Sequence, residues 1–188
     1  EMTAMLQALK HRGPDSTGYA VYGKPTEGDY IMRLKVAEAE DMHKGRGIHQ
    51  VIVDRIAAVE EILAEHGAAV KSKESVTEYA LRFVLSHEGD TSAMAEHIEE
   101  TDGVEILSMG NGLELIKDLG DAADVAGLYG LDNFEGTHSI GHTRMATESD
   151  VDIRSAHPYW AFPYNDVSVV HNGQITNYWI MRREMERK

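Results

Sequence analysis

The chain has 188 residues, no cysteine, and a formal charge of −14 from 18 basic and 32 acidic side chains. Its 42% hydrophobic and 27% charged content is that of a folded domain, with room for one sizeable core or for a core carrying a large insertion. This balance argues against a nucleic-acid backbone as partner, the missing cysteines exclude disulfides and thiolate metal sites within these residues, and no apolar run or signal-peptide pattern suggests a membrane. A cytoplasmic location is therefore expected.

Met2, Met5, Leu6 and Leu9 recur at helical spacing and predict an amphipathic helix that stops at Arg12-Gly13-Pro14-Asp15-Ser16. Thr17 to Tyr22 predicts a strand ending at Gly23. Met32, Leu34 and Val36 alternate with Arg33 and Lys35, the pattern of a half-exposed strand. Ile52, Ile56, Val59 and Leu63 mark a helix ended by Gly67. Ala68 to Lys71 is a weak strand, and Tyr79, Leu81, Phe83 and Leu85 alternate as a stronger one. Asp90 or Thr91 can cap a helix to about Glu100, and Val104 to Met109 is strand again. The order is β-α-β-β-α-β, either the ferredoxin-like split unit or an irregular α/β excursion.

After Gly110-Asn111-Gly112, Leu113 to Leu119 predicts a strand and Asp121 caps a short helix through Val125 and Leu128. Thr137 to Arg144 and Val167 to Val170 are two further strands, joined by a loop holding Pro158 and Pro163. His138 and His142 lie four apart, but in a strand, where that spacing does not make the two-histidine face of a zinc helix; no metal site is expected. Asn172-Gly173 is a strong hairpin signal. The residues after it nevertheless read as a helix from about Asn177, with Tyr178, Met181 and Met185 facing inward.

Four short motifs occur in order: RGPDS at 12–16, GHTRMATES at 141–149, AHP at 156–158 and HNG at 171–173. Together they resemble the class II glutamine amidotransferases, which are N-terminal-nucleophile hydrolases. The resemblance covers residues 2–23 and about 112–188. It implies an α+β fold, a four-layer αββα sandwich built from residues 1–23 and 110–188. Residues 24–109 would be an inserted βαββαβ, ferredoxin-like subdomain.

Hydrolysis of the glutamine amide needs a clamp for the α-carboxylate, donors for an oxyanion and a nucleophile. Arg144, at a strand end, offers a planar fork suited to a carboxylate, a surface salt bridge being the plainer alternative. The resemblance places Ala146-Thr147 in a loop over bound glutamine, which puts Thr147 among the substrate-binding residues. It also makes the Asn172 side-chain amide and the Gly173 backbone N–H an oxyanion hole. Preorganised donors of this kind are worth roughly 3–4 kcal/mol each in the transition state. His157 and Arg12 match the family's Ala-His-Pro and Arg-Gly-x-Asp positions, as active-site scaffolding or as purely structural groups. His142 and His171 are expected to shape strand ends.

The family nucleophile is an N-terminal cysteine whose own α-amine is the base. None of the 188 residues is a cysteine, and the chain starts Glu1-Met2 almost inside a helix. The expectation is a fragment without its first strand and without glutaminase activity of its own. The Asp that holds the substrate amino group in the family would fall beyond Lys188. The insertion, with ILSMGNGLELIKDLG and GTHSIGHTRMATESD, most resembles the separate amidotransferase subunit of archaeal-type and N-methylglutamate-type glutamate synthases. That likeness implies glutamine as substrate and ammonia passed to a synthase subunit in a hetero-oligomer. FMN and iron–sulfur clusters would sit on partner subunits, with no cofactor in this chain. The alternatives are a nucleophile-less amidotransferase-like binding or regulatory module, and an asparagine-synthase-type enzyme, which shares RGPD and Asn-Gly.

Overall fold

The computed structural model describes residues 1–38, 41–42, 47–146, 151–173 and 175–187. It is a mixed α/β chain in which every paired strand is antiparallel. Helix α1 (Met2–Gln7) and a 3-10 turn at Lys10–Arg12 lead into strand β1 (Ser16–Tyr22). Strand β2 (Asp29–Lys35), helix α2 (Ile48–Glu65), strands β3 (Ala69–Ser75) and β4 (Ala80–Ser86), helix α3 (Thr91–Glu99) and strand β5 (Glu105–Gly110) follow. The chain continues through β6 (Leu113–Leu119), α4 (Ala122–Leu128), β7 (His138–Arg144), β8 (Tyr159–Trp160), β9 (Ser168–Val169) and α5 (Tyr178–Met185).

The described residues form three sheets, ordered β6-β1-β7, β3-β4-β2-β5 and β8-β9. In the four-stranded sheet, Met32, Leu34, Phe83, Leu85 and Met109 turn one face toward Val59, Leu63, Met94 and Ile98 of α2 and α3, forming the larger core. Period-2 alternation on the strands and period-3.6 spacing on the helices bring these residues to one interface. Asp90 caps α3 by accepting from the Ser92 and Ala93 N–H groups, and Asp121 caps α4 in the same way. A second core joins Leu6 of α1, Tyr19 of β1, Ile116 of β6 and Val125 of α4.

The sequence pattern is overruled in three places. Strand β2 is not half-exposed: Arg33 is 4% and Lys35 2% exposed. Its charged face is covered because Arg33 Nε meets Glu114 of β6 at 2.7 Å, and Lys35 pairs with Glu38 and with Glu105 at 3.0 Å. Arg82 also reaches Glu114 at 2.7 Å, so one buried carboxylate ties β2 and β4 to the three-stranded sheet. Helix α1 ends at Gln7, short of the predicted stop, and buries Leu6 but leaves Met5 66% exposed, while Leu9 beyond its end is 45% exposed. In α5 no residue is buried, and Tyr178, Met181 and Met185 face outward. Helical spacing identified the apolar stripe of α5, but no described segment covers it. No described helix is long and apolar enough to cross a membrane.

Candidate functional site

The three-stranded sheet has two different faces. The α1 side carries Gly141, whose missing Cβ leaves room for Leu6 and Met2. On the other side one cross-strand row reads Lys117, Gly18, His142, since Gly18 pairs with both of its neighbours. The next row pairs Ser16 with Leu119 and Arg144. Glycine in the middle of the first row is a steric requirement: a Cβ on Gly18 would lie 2.0 Å from the His157 carbonyl oxygen. The 156–160 segment therefore lies directly on the strand. His157 packs on His142 with ring centres 4.8 Å apart and on Tyr159 at 4.5 Å.

Arg144 is placed by the turn that opens β1. The Asp15 N–H donates to the Arg144 carbonyl at 3.1 Å, and the Asp15 carboxylate accepts the Ala146 N–H at 2.7 Å. The Asp15 carbonyl accepts from Gly120. One residue thus binds the ends of β6 and β7 together, which is the physical role of the Asp in RGPDS. The spacing of that motif alone did not reveal it.

Burial, followed by the nearby His142, Lys117, Arg144 and His171, holds the His157 pKa down at about 4. Burial and then the Arg144 charge also lower that of His142. Both imidazoles are accordingly neutral at pH 7 beside a permanent cation. The Nδ1 atoms of His142 and His157 and the Oγ of Ser16 are buried without a hydrogen-bond partner among the described residues. Orphaned polar atoms beside a guanidinium suit a polar, carboxylate-bearing ligand.

The sequence-predicted residues divide accordingly. Arg144 and His157 come together with His142, and His171 lies near enough to act on His157. Arg12 is exposed in its 3-10 turn. Thr147 lies outside the described residues. Asn172 and Gly173 are exposed and do not end a strand, since β9 stops at Val169. With only two-residue β8 beside it, β9 has no ladder to carry it to Asn172. Residues that motif reading missed are Asp15 and Lys117. Among the described residues no group of three or more His, Asp or Glu side chains could hold a metal ion.

No family model matches the chain. Its relatives are glutamine amidotransferase-like proteins. Along its whole length it is 37% identical to a candidate glutamine amidotransferase of Methanothermobacter thermautotrophicus, 60% of which it covers. It is 33% identical, again along its whole length, to the glutamine amidotransferase-like protein GlxB of Rhizobium meliloti, 56% of which it covers. Over 87 residues, 46% of this chain and 14% of the relative, it is 34% identical to the isomerizing glutamine–fructose-6-phosphate aminotransferase of Pyrobaculum aerophilum. The chain thus spans somewhat more than half the length of the first two relatives.

Proposed function

We propose that the chain carries the substrate-binding part of a class II glutamine amidotransferase. Its host would hydrolyse glutamine to glutamate and deliver ammonia to a glutamate-synthase-type partner. The observation that carries this reading is the grouping of side chains at the β7 exit. There Arg144, held by Asp15, stands beside two neutral histidines, in a chain whose full-length relatives are glutamine amidotransferase-like. In fold terms, residues 1–23 and 110–188 would form the core of a four-layer αββα sandwich, with 24–109 an inserted subdomain. The β3-β4-β2-β5 order, produced by a β-α-β-β-α-β run, supports a ferredoxin-like insertion.

In this reading the Arg144 guanidinium binds the α-carboxylate of glutamine through two parallel hydrogen bonds. His157, uncharged at pH 7, adds a polar contact without adding positive charge. The Asn172 carboxamide and the Gly173 N–H donate to the oxyanion of the tetrahedral intermediate, and Thr147 belongs to the loop over the substrate. Arg12 buttresses the turn beneath. The nucleophile is not among the 188 residues, so binding without turnover is expected of this chain. The flavin and iron–sulfur chemistry of a synthase would belong to partner subunits in a cytoplasmic hetero-oligomer.

A calorimetric titration with glutamate, the reaction product, tests the assignment. Loss of a charge-assisted pair in Arg144→Ala should weaken binding by roughly 30-fold. A flat isotherm for the unaltered chain, or one unchanged by Arg144→Ala, removes the glutamine reading. A flat isotherm would favour a second reading that the absence of cysteine also suits: a nucleophile-less amidotransferase-like module with another ligand.

A further inference from the structure

Tyr159 joins the candidate site to a cavity of about 610 Å³ between α3, β5 and β8. Tyr159, Trp160 and Phe162 form an aromatic wall, with the Trp160 and Phe162 rings edge to face at 5.3 Å. Glu96, Glu99, Glu100 and Glu105 also line the cavity. A second cavity of about 520 Å³ shares Glu99, Glu100 and Glu105 with it. The two cavities flank the same end of α3.

The carboxylates stand where local physics disfavours them. Glu96 and Glu99 lie in the last turn of α3 and Glu100 is its C-cap, at the negative end of the macrodipole, where Lys or Arg would stabilise the helix. Such departures from local preference are expected at functional sites. Burial also raises the Glu99 pKa.

The aromatic wall already receives an ammonium group. Lys117 Nζ lies 5.0 Å from the centre of the Tyr159 ring and 3.4 Å from Glu105, with its side chain only 2% exposed. This internal cation shows what the wall accepts: an ammonium held between an aromatic face and a carboxylate. Glu105 is already engaged by Lys117 and by Lys35, so the cavity lining offers a further cation the three carboxylates of Glu96, Glu99 and Glu100.

We infer that the larger cavity binds a small aliphatic diammonium ion. One ammonium rests against Trp160 and Phe162 and the other lies among the carboxylates of α3, with the alkyl stem between them. The cavity adjoins the Arg144 site through Tyr159 and Lys117, but the diammonium assignment does not depend on the glutamine reading.

The test follows Trp160 fluorescence in the 188-residue chain carrying Trp179→Phe, which removes the other tryptophan. The titrant is 1,5-diaminopentane at about 0.15 M salt, where long-range attraction to the acidic surface is screened. A saturable change is expected. Glu96→Gln/Glu100→Gln removes two exposed carboxylates, and should weaken the interaction about tenfold, as should replacement of the titrant by n-pentylamine. The proposal is overturned if the change does not saturate, or if magnesium chloride at equal ionic strength reproduces it. Equal binding by the double variant, or by the monoamine, overturns it as well.

Discussion

Replacing Asp166 by alanine should loosen the segment that leads to His171, Asn172 and Gly173. Asp166 adopts a left-handed conformation, φ 59°. Its carboxylate accepts three consecutive backbone N–H groups, from Asn111 at 3.0 Å and from Gly112 and Leu113 at 2.8 Å each. The β5–β6 turn is thus an anion-binding nest filled by the chain's own carboxylate. It closes this tightly because residue 110 is glycine; a Cβ there would lie 2.2 Å from Asp166 Oδ1. A hydrogen bond to a charged group is worth about 1.5–3 kcal/mol. The site is only partly buried and the freed N–H groups regain water, so about half of the three-bond total survives. Adding the strain of alanine at positive φ gives about 3–6 kcal/mol for Asp166→Ala. Asparagine keeps an acceptor oxygen and tolerates positive φ, so Asp166→Asn should cost about 1–2 kcal/mol. Urea unfolding at constant m-value measures both, and hydrogen exchange over residues 167–173 should accelerate in the alanine variant. An alanine variant within about 0.5 kcal/mol of the parent, or an asparagine variant equally damaged, would refute the nest as the anchor.

Three further outcomes can be checked. Glu114→Gln leaves the buried Arg33 and its neighbour Arg82 without their shared carboxylate, and should cost about 3–5 kcal/mol in the same urea assay; a cost below about 1 kcal/mol would show that the charges are not coupled. His157 has its pKa held at about 4 rather than 6.5, so on acidification the unfolded chain takes up the proton first. Relative to His157→Gln, the parent should lose stability as pH falls from about 6.5 to about 4, by about 1–2 kcal/mol after solvent screening of a half-exposed ring, and the difference should be flat above that window. A pH-independent difference would contradict the placement of His157 beside His142 and Arg144. Finally, the 188-residue chain should release no ammonia from glutamine, because it has no cysteine; measurable turnover would sink that expectation.

Local physics was legible in the residues themselves. Alternation in Leu81, Phe83 and Leu85, helical spacing in Ile52, Val59 and Leu63, and the capping carboxylates of Asp90 and Asp121 each act within a few residues, so the elements they specify formed where expected. The motif order likewise pointed to Arg144 and His157, and pairing of β1 with β7 together with the 156–160 segment brings them near each other. Tertiary structure alone decided the rest, because the deciding partners are distant in sequence. Arg33 looked like a solvent-facing charge until Glu114, 81 residues away, covered it. The Gly110-Asn111-Gly112 turn looked like punctuation until Asp166, over fifty residues on, filled it with a carboxylate. For α5 the spacing identified an apolar face, but burial requires a covering surface, and the described residues supply none. A sequence states which groups a residue can satisfy within a turn or a strand; which distant charge or dipole satisfies them is set by packing.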